Sequence, residues 1–286
     1  MAGTGKSEAS VERSYGSNMS MHLFRRFRHI IHEACGIELA ESKITLLSTR
    51  VAKRMRSLNV PKYKDYLEIL MADTSGQELK NLVNVVTTNV SQLFRLPRHF
   101  DVLKDHYTAC QEKGQSSYCV WSAACASGEE PYSIAMVLKE WEKEGMQTRV
   151  LATDIASDCI EKARLGQYPA KVVEHVPVRY RQYLQKRMNH GAPSFTVSPT
   201  LKEIVTFGQV NLAYPPFPLR GPFDVIFCSN VMIYFNNEVR MRLLEAIYEL
   251  LAPGGLLMVG SAEGLAGLIS RFKPIEPSIY QRPENP

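Results

Sequence analysis

Val120-Trp-Ser-Ala-Ala-Cys-Ala-Ser-Gly-Glu-Glu-Pro-Tyr132 begins as an apolar run, breaks at Ser127-Gly128 and resumes with helical character after Pro131. A strand, a tight turn of small residues and a helix start are the opening of a βαβ nucleotide pocket. The turn carries one glycine, Gly128, whereas a dinucleotide pyrophosphate needs several for close backbone approach. Glu129 and Glu130 stand where a phosphate would sit at a helix N-terminus. Two carboxylates there repel pyrophosphate and attract a ligand carrying ammonium or sulfonium charge, as S-adenosylmethionine does. The alternative is that both acids only complement the positive end of the helix dipole.

The texture around this stretch is an alternation. Tyr118 to Ser122 reads as a strand, 131 to 144 as a helix, Arg149 to Ala152 as a strand and 157 to 164 as a helix. Such alternation argues for a parallel sheet with right-handed crossovers. It is interrupted at about 166–206, where Tyr168, Pro169, Pro177, Pro193 and Pro199 punctuate possible strands at Phe195-Thr-Val197 and Val205-Thr-Phe207. An inserted β-subdomain fits that length better than a structureless loop. The sheet resumes with Phe223 to Cys228, a helix over 237–251, and Gly255 to Gly260 after a Pro253-Gly254 break; Phe272 to Arg282 suits a final hairpin.

Residues 1–18 lack periodicity and read as a disordered tail. Gly3-Thr-Gly-Lys-Ser7 within it lacks the leading glycine and preceding strand of a phosphate loop. Residues 19–86 read as an all-α domain, with Ile44, Leu47, Val51, Met55 and Leu58 on one helical face, until Asn59-Val60-Pro61 ends that helix. Arg50 and Arg54 flank the face, with Lys53 and Arg56 farther round. These cations are either a solvated surface or a docking surface for an acidic partner. Residues 87–116 read as a linker helix and covering segment, and 117–286 as the α/β domain.

Composition narrows the function classes. The 286 residues are 45% hydrophobic and 22% charged, which suits a soluble protein with a sizeable core. Of the net +5, +4 lies in residues 20–86, where eleven Lys and Arg face seven Asp and Glu. Six cysteines without a Cys-x-x-Cys pair or a secretory signal imply reduced thiols and a cytoplasmic location. No run approaches the roughly 20 apolar residues of a membrane span. His29 and His32 lack metal-ligand spacing, so no metal site is expected. With no heptad or long apolar edge, the chain is expected to be a monomer.

Asp154 ends the second strand, 26 positions after Gly128. An acid there either accepts hydrogen bonds from ribose hydroxyls or caps the next helix; its partnership with Ser127-Gly128-Glu129 favours the former. The same rim should carry Asn211-Leu212 and Ser229-Asn230.

Taken together, Thr87-Thr-Asn-Val-Ser-Gln-Leu-Phe-Arg95 with His99-Phe100, Trp121-Ser-Ala-Ala with Gly128-Glu-Glu-Pro-Tyr-Ser133, Thr153-Asp-Ile155 and Asn230-Val-Met-Ile-Tyr-Phe235 resemble the CheR-type chemotaxis receptor methyltransferases, over roughly 20–282. The resemblance implies a Rossmann-like methyltransferase sheet domain with a small inserted β-subdomain, preceded by an all-α domain that docks on receptor helices. It implies S-adenosylmethionine as cofactor, S-adenosylhomocysteine as product, and glutamates of methyl-accepting chemotaxis receptors as acceptors. It also implies cofactor contacts from Asn89, Ser91, Arg95, Glu129, Asp154, Asn211, Leu212, Ser229 and Asn230. Three positions depart from the family pattern: Ser229 replaces a common Arg, Ala156 the second acid of Asp-Ile-Asp, and Ala262 the Ser before Glu263.

Methyl transfer to glutamate needs no general base, because a carboxylate of reference pKa about 4.3 is already ionised at neutral pH. Alignment of the acceptor then dominates. Arg95 is placed to hold the incoming carboxylate and Tyr234 to donate its hydroxyl, against the plainer readings of a helix-surface Arg and a core Tyr. Arg50, Lys53, Arg54 and Arg56 would steer docking on an acidic helical methylation region. A nucleic-acid amino-methyltransferase is the weaker rival: Tyr214-Pro-Pro-Phe217 lacks the leading Asn or Asp of that box and precedes the fourth strand. A non-catalytic module that senses the cofactor is the other, kept open by Ser229 and Ala156.

Overall fold

The computed structural model describes residues 19–189, 192–265 and 271–284; the expected tail, 1–18, lies outside them. The chain divides into two compact units between Thr88 and Asn89. Among the described residues no helix is long and apolar enough to cross a membrane.

The first unit is helical. Ser20 caps α1 (Met21–Cys35) by accepting the Leu23 N–H at 3.3 Å, and Gly36 ends it with the left-handed φ of 70° that glycine tolerates. The helices α2 (Ile44–Ser57), α3 (Tyr63–Ala72) and α4 (Gln77–Val86) follow. Leu47, Val51 and Met55, four residues apart, are buried with Phe24, Phe27, Ile31, Tyr66 and Leu82, while Ile44 and Leu58 at the ends of the stripe are half-buried. Phe27 stacks on Tyr66 with ring centroids 5.9 Å apart.

The four cations of α2 do not form one surface. Arg54 turns inward and grips Glu78 through Nε (2.9 Å) and a terminal nitrogen (2.6 Å), while the Tyr66 hydroxyl donates to the same carboxylate at 2.8 Å. Burial alone would raise the Glu78 pKa, but the Arg54, Tyr66 and Asn81 donors outweigh it and hold the group below its usual range. Arg54 is therefore withdrawn from the docking set: it is spent on a buried acid of its own unit. Arg50 is also engaged, donating to the Val86 carbonyl and to Thr88 Oγ1 (2.8 Å). Lys53 and Arg56 remain exposed.

The second unit opens with α5 (Pro97–Glu112), then β1 (Ser117–Ala123), α6 (Glu129–Glu140), β2 (Gln147–Asp154) and α7 (Ser157–Leu165). Next come β3 (Gln167–Pro169), the one-turn α8 (Ala170–Val173), β4 (Leu184–Asn189) and β5 (Ala192–Val197). The chain closes with α9 (Pro199–Ile204), β6 (Val205–Gln209), β7 (Phe223–Cys228), α10 (Asn237–Leu250), β8 (Leu251–Val259), β9 (Lys273–Glu276) and β10 (Ile279–Gln281).

Among the described residues seven strands form one sheet in the order β6-β2-β1-β7-β8-β10-β9. The first five are parallel, and β10 runs antiparallel between β8 and β9. This is the Rossmann-like architecture with an antiparallel hairpin at one edge. The order reverses between β2 and β7 around β1, and ligands of such sheets bind outside the strand ends at that point. Side chains alternate along each strand, so Val120, Val225, Phe227, Leu256 and Met258 enter one core while Trp121, Ala123, Ile226, Cys228, Leu257 and Val259 enter the other.

Three details depart from the sequence expectation. The helix expected as a linker, α5, buries Phe100, Leu103 and Tyr107 in the first core, so it is a wall of the sheet unit. The strand expected at Val205–Phe207 is not part of the insertion: β6 is the edge of the main sheet, paired in parallel with β2 from Val150↔Val205 onward. The inserted sheet is β3-β5-β4, all antiparallel. Finally, Pro253-Gly254 does not precede β8 but lies within it, where the pairing with β7 shifts register between Phe223 and Val225.

Arg54→Ala should destabilise the protein by about 3 kcal/mol, the low end for leaving a buried acid unpaired, since the Arg54 side chain keeps 21% of its surface in water. Lys53→Ala should stay within about 0.5 kcal/mol. Chemical denaturation of both variants measures the contrast.

Candidate active site

The loop between β1 and α6 has a contorted backbone. Ala124, Ala126 and Gly128 all have positive φ (65°, 47° and 95°), a conformation that only Gly128 adopts without Cβ strain. Cys125 N–H bonds the Thr153 carbonyl at 2.9 Å, and Asp154 Oδ2 accepts the Ala126 N–H at 2.9 Å. Asp154 Oδ1 accepts the Ala156 N–H at 2.9 Å, so one carboxylate ties the β1 loop to the β2 turn. Beneath them Trp121 Nε1 donates to Thr153 Oγ1 at 2.9 Å. A Cβ on Gly128 would stand 2.9 Å from both Ala163 Cβ and the Tyr168 hydroxyl, so this position is closed to larger residues twice over.

Three acids meet at this rim and all are held above their ordinary range. Burial raises Glu129, opposed by its own backbone N–H and by the Ser127 and Ser91 hydroxyls; Ser127 Oγ lies 2.9 Å from each Glu129 oxygen. Burial likewise raises Asp154 against the backbone N–H groups of Ala156, Ala126 and Ile155. Glu130 is pushed up to about 7 by burial, with the Glu263 charge adding and Ser122, Ser229 and the Arg95 charge opposing. Ser122 Oγ donates to Glu130 Oε1 at 2.7 Å. Ser229 Oγ lies close enough to favour the ionised form of Glu130, yet it is buried without a partner in good hydrogen-bonding geometry. Among the described residues no salt bridge reaches Glu129, Glu130 or Asp154.

The segment before α5 folds over this rim. Ser133 Oγ donates to the Glu129 carbonyl (2.7 Å) and accepts the Phe94 N–H (3.0 Å), while Phe94 stacks on Tyr180 with centroids 4.9 Å apart. Ser91 thus reaches Glu129, and Arg95, exposed and donating to the Val90 carbonyl at 3.1 Å, lies within electrostatic reach of Glu130. Asn89 is half-buried at the start of the segment.

Beyond β6, the Val210 N–H bonds the Asp154 carbonyl at 3.1 Å, which sets Asn211 and the buried Leu212 beside the acid. Asn211 Oδ1 accepts the Ala213 N–H at 3.1 Å. At the end of β7, Asn230 adopts φ 62° and its N–H donates to Glu263 Oε2. Glu263, 1% exposed, also accepts the Gly260 and Ile233 N–H groups at 2.8 and 3.1 Å. A Cβ on Gly260 would meet Glu263 Oε2 at 2.5 Å, so the glycine is what lets the acid in. Tyr234 sits half-buried in the turn that follows. Tyr214-Pro-Pro-Phe217 lies in the loop before β7, where Phe217 packs edge-on against Trp121 at 5.7 Å.

Of the expected rim residues, Ser91 reaches Glu129, Ser229 and Arg95 act on Glu130, and the Asp154 carbonyl anchors the chain just before Asn211. Lys53, Arg56, Arg50 and Arg54 belong to the other unit. Sequence reasoning assigned no role to Ser122, Ser133, Tyr168, Gly260 or Glu263. An acid flanked by Gly260 and Gly264 just past a strand end was the available signal for Glu263. Among the described residues no group of three or more His, Cys, Asp and Glu is placed to hold a metal ion.

Carboxylates held by neutral donors with no salt bridge among the described residues, beside a turn poor in glycines, suit a cationic nucleoside and disfavour a pyrophosphate. The comparisons with known proteins agree. Residues 89–280 match the family described as CheR methyltransferase, SAM binding domain, and residues 22–87 match CheR methyltransferase, all-alpha domain. The chain is 35% identical to the chemotaxis protein methyltransferase of Escherichia coli K12 over 259 residues, 90% of this chain and 89% of that protein. It is 33% identical to chemotaxis protein methyltransferase 2 of Pseudomonas aeruginosa, covering 90% and 91%, and 31% identical to the chemotaxis protein methyltransferase of Borreliella burgdorferi, covering 93% and 95%.

The raised Glu130 predicts a pH signature. Between about 4.5 and about 7 the folded protein binds this proton and the unfolded chain does not, so stability falls as pH rises through that window. Glu130→Gln removes the titration. Thermal unfolding at pH 5 and pH 8 should show a smaller loss of Tm for the variant than for the wild type.

Proposed function

The chain belongs to the CheR methyltransferase family, a family of S-adenosylmethionine-dependent methyltransferases of chemotaxis, and from that premise we propose that its acceptors are glutamate side chains of chemoreceptors, converted to methyl esters in the cytoplasm. The observation that carries this reading is the segregation of charge in the crevice. Buried acids form its floor, while an exposed guanidinium, Arg95, stands at its rim. The floor matches a cationic cofactor and the rim an anionic acceptor.

Bound there, S-adenosylmethionine supplies a methyl group on a sulfonium centre. Glu129 and Ser91 would hold the cofactor's charged end. Asp154 has one position on each oxygen filled, by the Ala126 and Ala156 N–H groups, and its remaining acceptor capacity suits ribose hydroxyls. Asn211 and Leu212 would bracket the base, with Asn89, Ser229 and Asn230 completing the contacts. Arg95 would hold the acceptor carboxylate through its fork of donors, and Tyr234 would donate its hydroxyl at the same rim. The acceptor arrives ionised, so the residues need only orient it and exclude water.

Receptor docking falls to residues 19–86, through Lys53 and Arg56 with help from Arg50. Methylation regions of such receptors are acidic helices, and complementary charge acts on the association rate.

Three experiments test this reading. Incubation with methyl-labelled cofactor and receptor, followed by alkali, should release volatile labelled methanol; label that stays on the protein would sink the ester assignment. Arg95→Ala and Tyr234→Phe should lower turnover more than they weaken cofactor binding by calorimetry. The paired reversal Lys53→Glu with Arg56→Glu should slow receptor association at low salt and leave cofactor affinity alone, as read by stopped-flow kinetics.

A further inference from the structure

The inserted sheet reaches into the cofactor crevice through one side chain. Tyr168, in β3 opposite Phe195 of β5, is 4% exposed and donates its hydroxyl to the Ser127 carbonyl at 2.9 Å. Ser127 in turn donates its own hydroxyl to both oxygens of Glu129 at 2.9 Å. The relay is short: a subdomain tyrosine, a loop serine, a crevice acid. Gly128 adjoins it, and the absence of a Cβ there is what admits the Tyr168 hydroxyl.

We propose that Tyr168 is a positioning residue for the cofactor, fixing the Ser127 peptide so that the serine hydroxyl holds Glu129 in its binding rotamer. The inference rests on the reading of Glu129 as a cofactor contact. Physically, Ser127 lies between two residues of positive φ, Ala126 and Gly128, in a loop whose backbone strain must be held from outside. Asp154 holds the Ala126 end. Tyr168 holds the Ser127 end, and a half-buried carbonyl deprived of its donor would turn to find another. A peptide rotation there would carry the serine hydroxyl away from Glu129.

The wall beside the loop provides a matched control. Tyr132 in α6 is fully buried, packs edge-on against Tyr168 at 6.4 Å, and donates its hydroxyl at 2.9 Å to the Ala163 carbonyl, which lies in α7 and not in the loop. Tyr132→Phe and Tyr168→Phe each delete one hydroxyl and leave the ring, although the Ala163 carbonyl keeps the Gly166 N–H at 3.0 Å. A merely structural role predicts that neither changes Kd.

The test measures the Kd of S-adenosylhomocysteine by isothermal titration calorimetry on the full chain, with Tm by calorimetric scan, for the wild type, Tyr168→Phe, Tyr132→Phe, Ser127→Ala and Glu129→Gln. Tyr168→Phe and Ser127→Ala should each raise Kd about tenfold, and the double variant should lose little more than either alone. Tyr132→Phe should lower Tm with Kd at the wild-type value. If Tyr168→Phe lowers Tm and leaves Kd unchanged while Glu129→Gln weakens binding, the proposal fails and the reading of Glu129 stands. If Glu129→Gln leaves Kd unchanged, that reading itself fails. Should Tyr168→Phe prove too unstable to measure, the Ser127→Ala arm decides alone, and an unchanged Kd there overturns the relay.

Discussion

Asp154 shapes the crevice by binding backbone. Its two oxygens take the Ala126 and Ala156 N–H groups, and so hold a loop in which three residues of five adopt left-handed φ. Such a loop is unfavourable in isolation and persists only where its surroundings over-determine it. The rest of the rim depends on it. Ser127 faces Glu129 because of the loop, α6 starts where it does because of Gly128, and Phe94 reaches Ser133 because α6 presents that serine inward.

The acids of the crevice are satisfied by neutral donors rather than by cations. Hydroxyls and backbone N–H groups can stabilise a buried carboxylate, but less than a paired charge would, and the raised pKa values of Glu129, Glu130 and Asp154 express the shortfall. The contrast with Glu78 in the helical unit is instructive. There an arginine closes the same deficit and the carboxyl falls below its usual range. One acid is closed by a cation of its own unit, while the others are left with neutral donors and no salt-bridge partner among the described residues.

The two kinds of acid could not be told apart from the chain alone. Strand ends, the single-glycine turn and the acid that closes β2 were legible because they are local: each follows from the composition of a few neighbouring residues. Arg54 was misjudged because its helical face borders the apolar stripe on one side and solvent on the other, and only the approach of α4 decides which. Glu263 and Tyr168 act over 33 and 41 residues of sequence on backbone groups, and residue type does not say which groups those are. The placement of β6 was misread for the same reason, since a five-residue strand announces its partner only through register. What spacing cannot encode is which distant peptide an acid or a hydroxyl will find.

Sheet order also governs how this protein comes into being. The switch point that creates the crevice places β7 beside β1, with Val120 opposite Val225, so β1 gains its second neighbour only after roughly a hundred further residues have been synthesised. At about 5–20 residues per second, that edge stays bare on the ribosome for many seconds, while the helical unit ahead of it is already complete. The last antiparallel strand, β10, slots between β8 and β9 later still. The geometry that makes an open sheet a good binding site therefore makes it slow to assemble and aggregation-prone while it waits, so chaperone dependence should follow the sheet unit and spare the helical one.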